Sequence, residues 1–162
     1  MTDLVSIMSA GGPYVVLPES NLGKWKGYAD QNAYEAIAYG ADFGRIVTAA
    51  GGTALVLGTP DTLYFWPLDT GGVFVRVSCF DAADDAVLAR HLERLPKKGW
   101  KGLKGELKVK GKLYAFDAAT AGADIGNDAL EIELPQGSYS AGHLTFKPDD
   151  GTELLLVRLT RK

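Results

Sequence analysis

Few residues in this chain could carry out acid–base, nucleophilic or metal chemistry. The 162 residues include only two histidines, His91 and His143, and one cysteine, Cys79. No His-Glu-x-x-His or His-x-His pattern would present two imidazoles to one metal ion. A single cysteine excludes an internal disulfide and any multi-cysteine zinc site. We therefore expect no bound metal and no cofactor.

The sequence also lacks a convincing nucleophile. Ser138-Tyr139-Ser140-Ala141-Gly142 lacks the first glycine of a Gly-x-Ser-x-Gly elbow and lies in a predicted strand. Cys79 ends an apolar strand, which favours a small buried hydrophobe over a reactive thiol. His91 shares a helix face with leucines and is expected to be a partly buried structural residue. The prediction is a protein that is not an enzyme, although distant carboxylates that converge in space stay an open alternative.

Charge is distributed unevenly along the chain. The net charge is −3, yet nine basic residues and only two glutamates lie between Arg90 and Lys112, so this segment carries +7 and the remainder −10. Such a separation can steer an oppositely charged partner over long range. The alternative is two solvated faces that keep the protein soluble. Lysines alternate along Leu103–Lys110 as they would on an exposed edge strand, so we expect no nucleic-acid partner.

The hydropathy pattern predicts a cytoplasmic protein. The longest apolar runs, such as Tyr14–Leu17 and Leu154–Val157, are far shorter than the ~20 residues that cross a bilayer. The first residues show no basic segment followed by a long apolar one, as a secretory signal would. We expect no membrane partner.

The predicted fold class is mainly β with α+β character. Short β-branched and aromatic runs alternate with Gly, Pro, Asp and Asn, which is typical of strands joined by tight turns. One amphipathic helix is predicted over 82–95, with Asp81 as N-cap and four apolar residues along one face: Val87, Leu88, Leu92 and Leu95. Residues 30–38 fit either a helix or a strand. We expect one domain over 1–162, folded as a sandwich or open barrel.

Two segments of the chain, about 5–80 and 103–161, carry short motifs in the same order on either side of the predicted helix. The similarity predicts a duplication, in which each half supplies a small antiparallel sheet and the helix covers a sheet end or edge. Chance similarity between β-hairpins is the alternative. The matched segments are Gly12–Leu17 with Gly111–Phe116, Ala54–Leu57 with Ala129–Ile132, Pro60 with Pro135, Tyr64 with Tyr139, Phe65 with Phe146, Pro67 with Pro148, Asp69 with Asp150, and Val75–Val77 with Val157–Leu159.

The N-terminal string Ser9-Ala10-Gly11-Gly12-Pro13-Tyr14-Val15-Val16-Leu17-Pro18-Glu19-Ser20, followed by Trp25 and Gly27, resembles the opening of the immunity protein 21 family of bacterial polymorphic toxin systems. The resemblance continues over nearly the whole chain through short β-type motifs. These are Ala54–Gly58, Trp66-Pro67-Leu68, Gly71-Gly72 with Val75-Arg76, Phe116–Ala119, and Leu134–Tyr139.

The resemblance implies a protein that binds a cognate toxin and neutralises it by surface complementarity, with no small-molecule substrate. It implies no contact residues, so these are predicted from residue type and position: Glu19, Trp25, Tyr28, Asp84 and Asp85. An acidic body would suit a basic toxin such as a nuclease. For Trp25 the alternative is that it closes the bottom of the core.

A second functional hypothesis is a β-sandwich module that binds a small ligand or carbohydrate and stacks it on a tryptophan, with Trp25, Trp66 and Trp100 as candidates. If the two halves are duplicates, specificity should lie where they differ. That predicts three recognition segments: Glu19–Tyr28, the acidic helix start at Asp84 and Asp85, and the loop Ala121–Asp128.

Overall fold

The computed structural model describes residues 4–9, 11–38, 43–58, 62–80 and 84–162, with the side chain of Phe80 left out. Short strands dominate it, as the alternation of apolar runs and turn residues predicts. The strands are β1 (Val5–Ile7), β2 (Tyr14–Pro18), β3 (Gly44–Ala49), β4 (Gly52–Leu57), β5 (Leu63–Leu68), β6 (Gly71–Phe80), β7 (Lys101–Gly102), β8 (Leu107–Val109), β9 (Lys112–Asp117), β10 (Ala129–Glu133), β11 (Gly137–Asp149) and β12 (Thr152–Arg161). The helices are α1 (Gln31–Ala38) and α2 (Asp85–Leu92), and 3-10 turns cover Glu19–Lys24, Gly27–Ala29 and Gly122–Asp124.

The strands form two open antiparallel sheets that pack face to face, which confirms the predicted β-rich sandwich. A seven-stranded sheet has the order β1-β5-β6-β12-β11-β7, with β8 also paired to β11. A five-stranded sheet has the order β10-β9-β2-β4-β3. Both sheets contain strands from both halves of the chain. The expectation that each half supplies its own sheet is therefore wrong, because β6 pairs with β12 and β2 pairs with β9.

The core between the sheets follows from the period-two alternation of each strand, which sends every second side chain inward. Val16 and Leu55 of the smaller sheet face Phe74 and Val157 of the larger one, all fully buried. Burial of a side chain of this size stabilises the fold by roughly 1.5–3 kcal/mol.

An outer layer covers each sheet. Residues 19–38 and 118–128, called here the tyrosine layer, pack on the five-stranded sheet and bury Val15, Val56 and Phe116. Residues 84–104, called here the helix layer, pack on the seven-stranded sheet through Leu88 and Leu92. The two layers thus lie on opposite sides of the sandwich.

Helix α2 is shorter than predicted and lies elsewhere. It spans Asp85–Leu92, and its N-cap is Asp84, whose Oδ1 accepts a hydrogen bond from the Ala86 amide at 2.7 Å. The predicted cap Asp81 and the first predicted helical residues, 82–83, lie outside the described residues. The helix covers the face of the larger sheet instead of its end or edge, because its leucines meet Val73, Val75, Leu154 and Leu156.

The ambiguous segment 30–38 is the helix α1. Asp30 Oδ1 accepts a hydrogen bond from the Ala33 amide at 3.2 Å, which is the interaction of an N-cap. Ile37 is buried against the smaller sheet, with Ala33 and Tyr34 packed beside it. The three- and four-residue spacing of these apolar side chains favours the helix.

Apart from the edge strands β3 and β7, which have no counterpart, the strand order is unchanged when the two halves are exchanged. In the larger sheet β1-β5-β6 meets β12-β11-β8, and in the smaller one β4-β2 meets β9-β10. The register agrees with the matched segments: Tyr14 pairs with Leu57 as Leu113 pairs with Ile132. This is the arrangement that a duplicated hairpin plan would produce, and the duplication itself stays a prediction.

Three of the matches in the larger sheet are wrong as structural equivalents. Tyr64 faces the helix layer, whereas Tyr139 lies between the sheets. Phe65 lies between the sheets, whereas Phe146 faces the helix layer. Val75 likewise faces the helix layer, whereas Val157 lies between the sheets. A shift of one residue sends a side chain to the other face of a sheet, so letters alone cannot align these strands.

Candidate protein-binding surface

Two of the side chains with reactive chemistry, Cys79 and His91, lie near the turn that joins β11 to β12. Cys79 is exposed near the end of β6, with its sulfur 3.7 Å from the Gly151 carbonyl oxygen, so the prediction of a buried cysteine is wrong. His91 is partly buried on α2, as predicted. Its Nε2 atom lies 3.4 Å from the Asp149 carboxylate without an aligned hydrogen bond.

The described residues contain neither a metal-binding cluster nor a membrane-spanning helix. No group of three or more His, Cys, Asp or Glu side chains in this part of the chain could hold a metal ion. Within the same ranges, no helix has the length and apolar character that crossing a bilayer requires.

The structure separates the five predicted contact residues into two groups. Glu19, Trp25 and Tyr28 belong to the tyrosine layer, and Asp84 and Asp85 belong to the helix layer on the other side of the sandwich. Of the three predicted recognition segments, Glu19–Tyr28 and Ala121–Asp128 meet in the tyrosine layer, because the Gly122 amide donates a 2.8 Å hydrogen bond to the Trp25 carbonyl oxygen. The start of α2 takes no part in that surface.

Trp25 is a core residue and presents no side-chain surface to a partner. It is only 1% exposed, and its indole Nε1 donates a 2.9 Å hydrogen bond to the Ala118 carbonyl oxygen. The alternative in which Trp25 closes the core is therefore the one the structure supports. The indole joins both segments of the tyrosine layer to the sheet below.

Tyr28 is the prominent side chain of this layer. Tyr28 is 60% exposed. Within the described ranges, the only other exposed large hydrophobic residues are Val5 and Met8. Its ring packs edge-on against Tyr34 with 5.2 Å between ring centroids, and its amide donates a 3.0 Å hydrogen bond to the Ala119 carbonyl oxygen. Tyrosines held in this way are frequent anchors of protein interfaces, since little side-chain entropy is lost on binding.

Two glycines allow the segments beneath Tyr28 to approach this closely. Gly27 has a φ of +61°, and a Cβ atom there would lie 2.5 Å from the Ala119 carbonyl oxygen. A Cβ atom at Gly122 would lie 1.9 Å from the Leu22 carbonyl oxygen. The sequence did not predict these close backbone contacts, because nothing in the local pattern indicates which backbone a glycine will approach. It also did not predict that Tyr34 would pack against Tyr28.

The tyrosine layer is acidic. It contains five carboxylates and two lysines, a net charge of −3, whereas the helix layer contains six basic residues and three carboxylates, a net charge of +3. Asp30, Asp124 and Asp128 are exposed at its surface. The layer therefore combines an exposed aromatic side chain with negative charge.

Glu19 lies beside a groove at the end of β2. The groove has a volume of about 420 Å³ and is lined by Glu19, Gly111, Lys112, Glu133 and Leu134. Lys112 makes an ion pair with Glu131, and that hydrogen bond is the main cause of a raised pKa for the lysine. Glu133 lies 3.9 Å from the same ammonium group, so carboxylates outnumber the one lysine around this groove.

Asp84 and Asp85 each have a local structural role. Asp84 caps α2, and the negative charge favours the positive end of the helix dipole. Asp85 lies against Tyr64, where burial first and the Asp85 carboxylate second raise the pKa of the tyrosine. These two contacts explain why aspartates occupy positions 84 and 85, so a role in binding another protein is not needed to explain them.

The three tryptophans offer no open stacking face. Trp25 and Trp66 are 1% and 6% exposed. Trp100 is partly buried, and the Arg158 guanidinium lies over its ring at 4.3 Å from the centroid. The observation on which the ligand-binding hypothesis rested is thus not borne out by the structure.

Comparison with known proteins identifies a family for this chain. The model of the family described as immunity protein 21 matches residues 6–152. The chain belongs to the immunity protein 21 family. No curated protein and no solved structure matches it.

The family match confirms the resemblance inferred from the N-terminal string. In this member of the immunity protein 21 family, the match runs from β1 to the first residue of β12 and includes both outer layers. It therefore covers all five predicted contact residues.

Proposed function

We propose that this chain neutralises a cognate bacterial toxin by binding it through the tyrosine layer, inside the cell that makes the toxin and without catalysis or a cofactor. The family match supports the toxin as partner, since proteins of this family are described as immunity proteins. The observation that carries the choice of surface is Tyr28, which is exposed while its backbone is fixed.

The shape of the layer supports recognition by a preformed surface. Gly122, Trp25 and Ala119 connect its two segments through backbone hydrogen bonds of 2.8–3.0 Å and an indole bond of 2.9 Å. A surface that is already ordered loses less entropy on binding, so more of the contact energy contributes to affinity.

Charge supports a basic partner. The tyrosine layer carries −3, and the chain outside Arg90–Lys112 carries −10. A basic toxin would be attracted to this side and repelled by the helix layer, which orients the encounter. Bound there, the protein would mask the toxin's own cationic surface.

Co-expression tests the function. The toxin encoded beside this chain should stop growth alone, growth should recover when the chain is present, and the two proteins should elute together on size exclusion. An unrelated toxin of similar potency serves as control and should remain lethal. If the neighbouring toxin kills equally well in the presence of the folded chain, the proposed function is wrong.

Stopped-flow measurements test the electrostatic part separately. Between about 50 and 500 mM salt, the association rate should fall by roughly tenfold or more, because steering is screened by ions. The dissociation rate should change much less. An association rate that stays constant over this range would exclude steering while leaving the neutralisation itself standing.

A further inference from the structure

A second site is suggested by a cavity on the basic side of the molecule. It has a volume of about 240 Å³ and is lined by Gly99, Lys101, His143, Leu144 and Thr145. It exists because β7 is only two residues long: Gly102 pairs with Gly142 and Lys101 with His143, and there the pairing ends. Beyond His143 the strand β11 continues without β7 beside it, which leaves an opening between the strand and the loop before β7.

The polar groups around this cavity are hydrogen-bond donors. Lys101 contributes an ammonium group, His143 an imidazole and Thr145 a hydroxyl. Within the described part of the chain, none of these three side chains makes a hydrogen bond or ion pair, and no carboxylate lines the cavity. The groove beside Glu19 differs, since its single lysine is already paired with a glutamate.

The segment 96–104, which contains the loop before β7 and β7 itself, supplies Gly99 and Lys101 to the cavity and is basic. Its four lysines are exposed and, among the described residues, have no carboxylate partner: Lys97, Lys98, Lys101 and Lys104. Trp100 Nε1 donates a 2.8 Å hydrogen bond to the Pro96 carbonyl oxygen, and Arg158 lies over the indole ring. The Leu103 amide donates a 2.8 Å hydrogen bond to the Ala141 carbonyl oxygen. The backbone on both sides of Lys101 is therefore held in place.

We propose that this cavity binds a phosphate-type oxyanion, either free phosphate or the phosphate group of a small monoester. A tetrahedral oxyanion accepts several hydrogen bonds at once, and a charge-assisted bond from an ammonium group is among the strongest available to it. The volume exceeds that of phosphate alone and leaves room for a small substituent. The site lies away from the tyrosine layer, so it would be a property independent of toxin neutralisation.

Titration of the full chain with inorganic phosphate tests the proposal. In spectra of the histidine side chains, the His143 ring resonances should shift saturably with phosphate while those of His91 stay in place. Lys101→Ala should weaken phosphate affinity by about tenfold or more, the effect of losing one charge-assisted hydrogen bond. Sodium chloride at matched ionic strength should leave the His143 resonances unchanged.

Lys98→Ala is the matched control, since Lys98 is an exposed lysine of the same loop that does not line the cavity. It should change phosphate affinity by less than about twofold, a small long-range effect of one surface charge. Both variants should unfold at the same urea concentration as the parent chain. Equal losses in the two variants, or a response to chloride that matches the response to phosphate, would overturn the site.

Ribose 5-phosphate and ribose distinguish the two sources of the oxyanion. If the cavity takes a monoester, ribose 5-phosphate should bind more tightly than inorganic phosphate, and ribose alone should not bind. If it takes free phosphate, the ester should bind more weakly. Lys101→Ala should weaken whichever ligand binds, and failure of toxin rescue would leave these results unaffected.

Discussion

The two outer layers of this sandwich solve the same packing problem in different ways. The helix layer covers its sheet with an amphipathic helix, whose apolar side rests on the strands through Leu88 and Leu92. The tyrosine layer covers its sheet with the helix α1 and also with short 3-10 turns and loops, which are fastened through Trp25 and through close backbone contacts at Gly27 and Gly122. A helix forms the hydrogen bonds of its own backbone N–H and C=O groups, whereas the buried backbone groups of a loop need hydrogen-bond partners from elsewhere in the chain.

This difference has a consequence for recognition. A 3-10 turn or loop that tertiary contacts hold in place can expose a side chain such as Tyr28, while the core beneath it stays packed. The helix layer exposes mainly charged side chains and carries +3, the opposite of the −3 on the tyrosine layer. We therefore propose that recognition belongs to the tyrosine layer, and we expect the helix layer to contribute stability.

Replacing Trp25 with alanine should have the largest effect on stability. The side chain is buried and bonded to Ala118, so its loss should lower the free energy of unfolding by about 3–5 kcal/mol. Urea denaturation measures this loss. Trp25→Phe retains an aromatic ring and should lose less, and a loss below about 1 kcal/mol for alanine would show that the tyrosine layer is not anchored there.

Leu88→Ala tests the helix layer in the same way. Leu88 is fully buried, and removal of its side chain should cost about 2–4 kcal/mol in the free energy of unfolding. Leu88→Met, which conserves volume, should cost less than about 1.5 kcal/mol. The affinity of the folded variant for the toxin should be unchanged, and a weaker complex would contradict the assignment of recognition to the other layer.

Tyr28→Ala should separate binding from stability. The affinity for the toxin should fall by about 2 kcal/mol, or roughly 30-fold, as expected for an exposed aromatic anchor. The free energy of unfolding should fall by no more than about 1 kcal/mol, through loss of the contact with Tyr34. Isothermal titration and urea denaturation give the two values, and unchanged affinity would remove Tyr28 from the interface.

Asp84→Ala should act on the helix layer alone. Loss of the N-cap hydrogen bond to Ala86 should lower the free energy of unfolding by about 1 kcal/mol. Asp84→Asn preserves a capping side chain and should be nearly neutral. Asp84 was predicted as a contact residue, so a weaker complex in Asp84→Ala, with stability unchanged, would restore that role.

The smallest effect concerns acid stability at a site in neither layer. Hydrogen bonds from Lys162 first and Lys108 second lower the pKa of Glu106 in the folded state. A carboxyl whose folded pKa is lowered stabilises the fold above its unfolded pKa, and this contribution is lost as pH falls through the folded pKa. Glu106→Gln should therefore narrow the difference in melting temperature between pH 7 and pH 3, and an unchanged difference would argue against the ion pair.

Local patterns were sufficient for much of the fold. β-branched runs between turn residues predicted the strands, and the spacing of Leu88 and Leu92 predicted α2, although its start was placed too early. The matched segments Gly12–Leu17 and Gly111–Phe116 identified the strands that pair at the centre of the smaller sheet. These features depend on residues near one another in sequence, where the period of two or of 3.6 is visible.

The surface was predicted less well because burial is decided by distant residues. Trp25 and Tyr28 are three positions apart and both aromatic, yet one is 1% exposed and the other 60%. The difference depends on Ala118, Ala119 and Gly122, about 90 residues further along the chain. Cys79 shows the reverse case, since its apolar neighbours favour burial and the structure exposes it.

The sequence by itself determined most of the strands, the family and the separation of charge, because each is a property of residue types and their spacing. Only the tertiary structure decided that both sheets take strands from both halves, that Glu19–Tyr28 meets Ala121–Asp128, and that Asp84 and Asp85 lie on the opposite side. Those outcomes depend on strand pairing between residues far apart in the chain. If a strand paired with a different neighbouring strand, every local sequence pattern would be unchanged, but different side chains would share a surface.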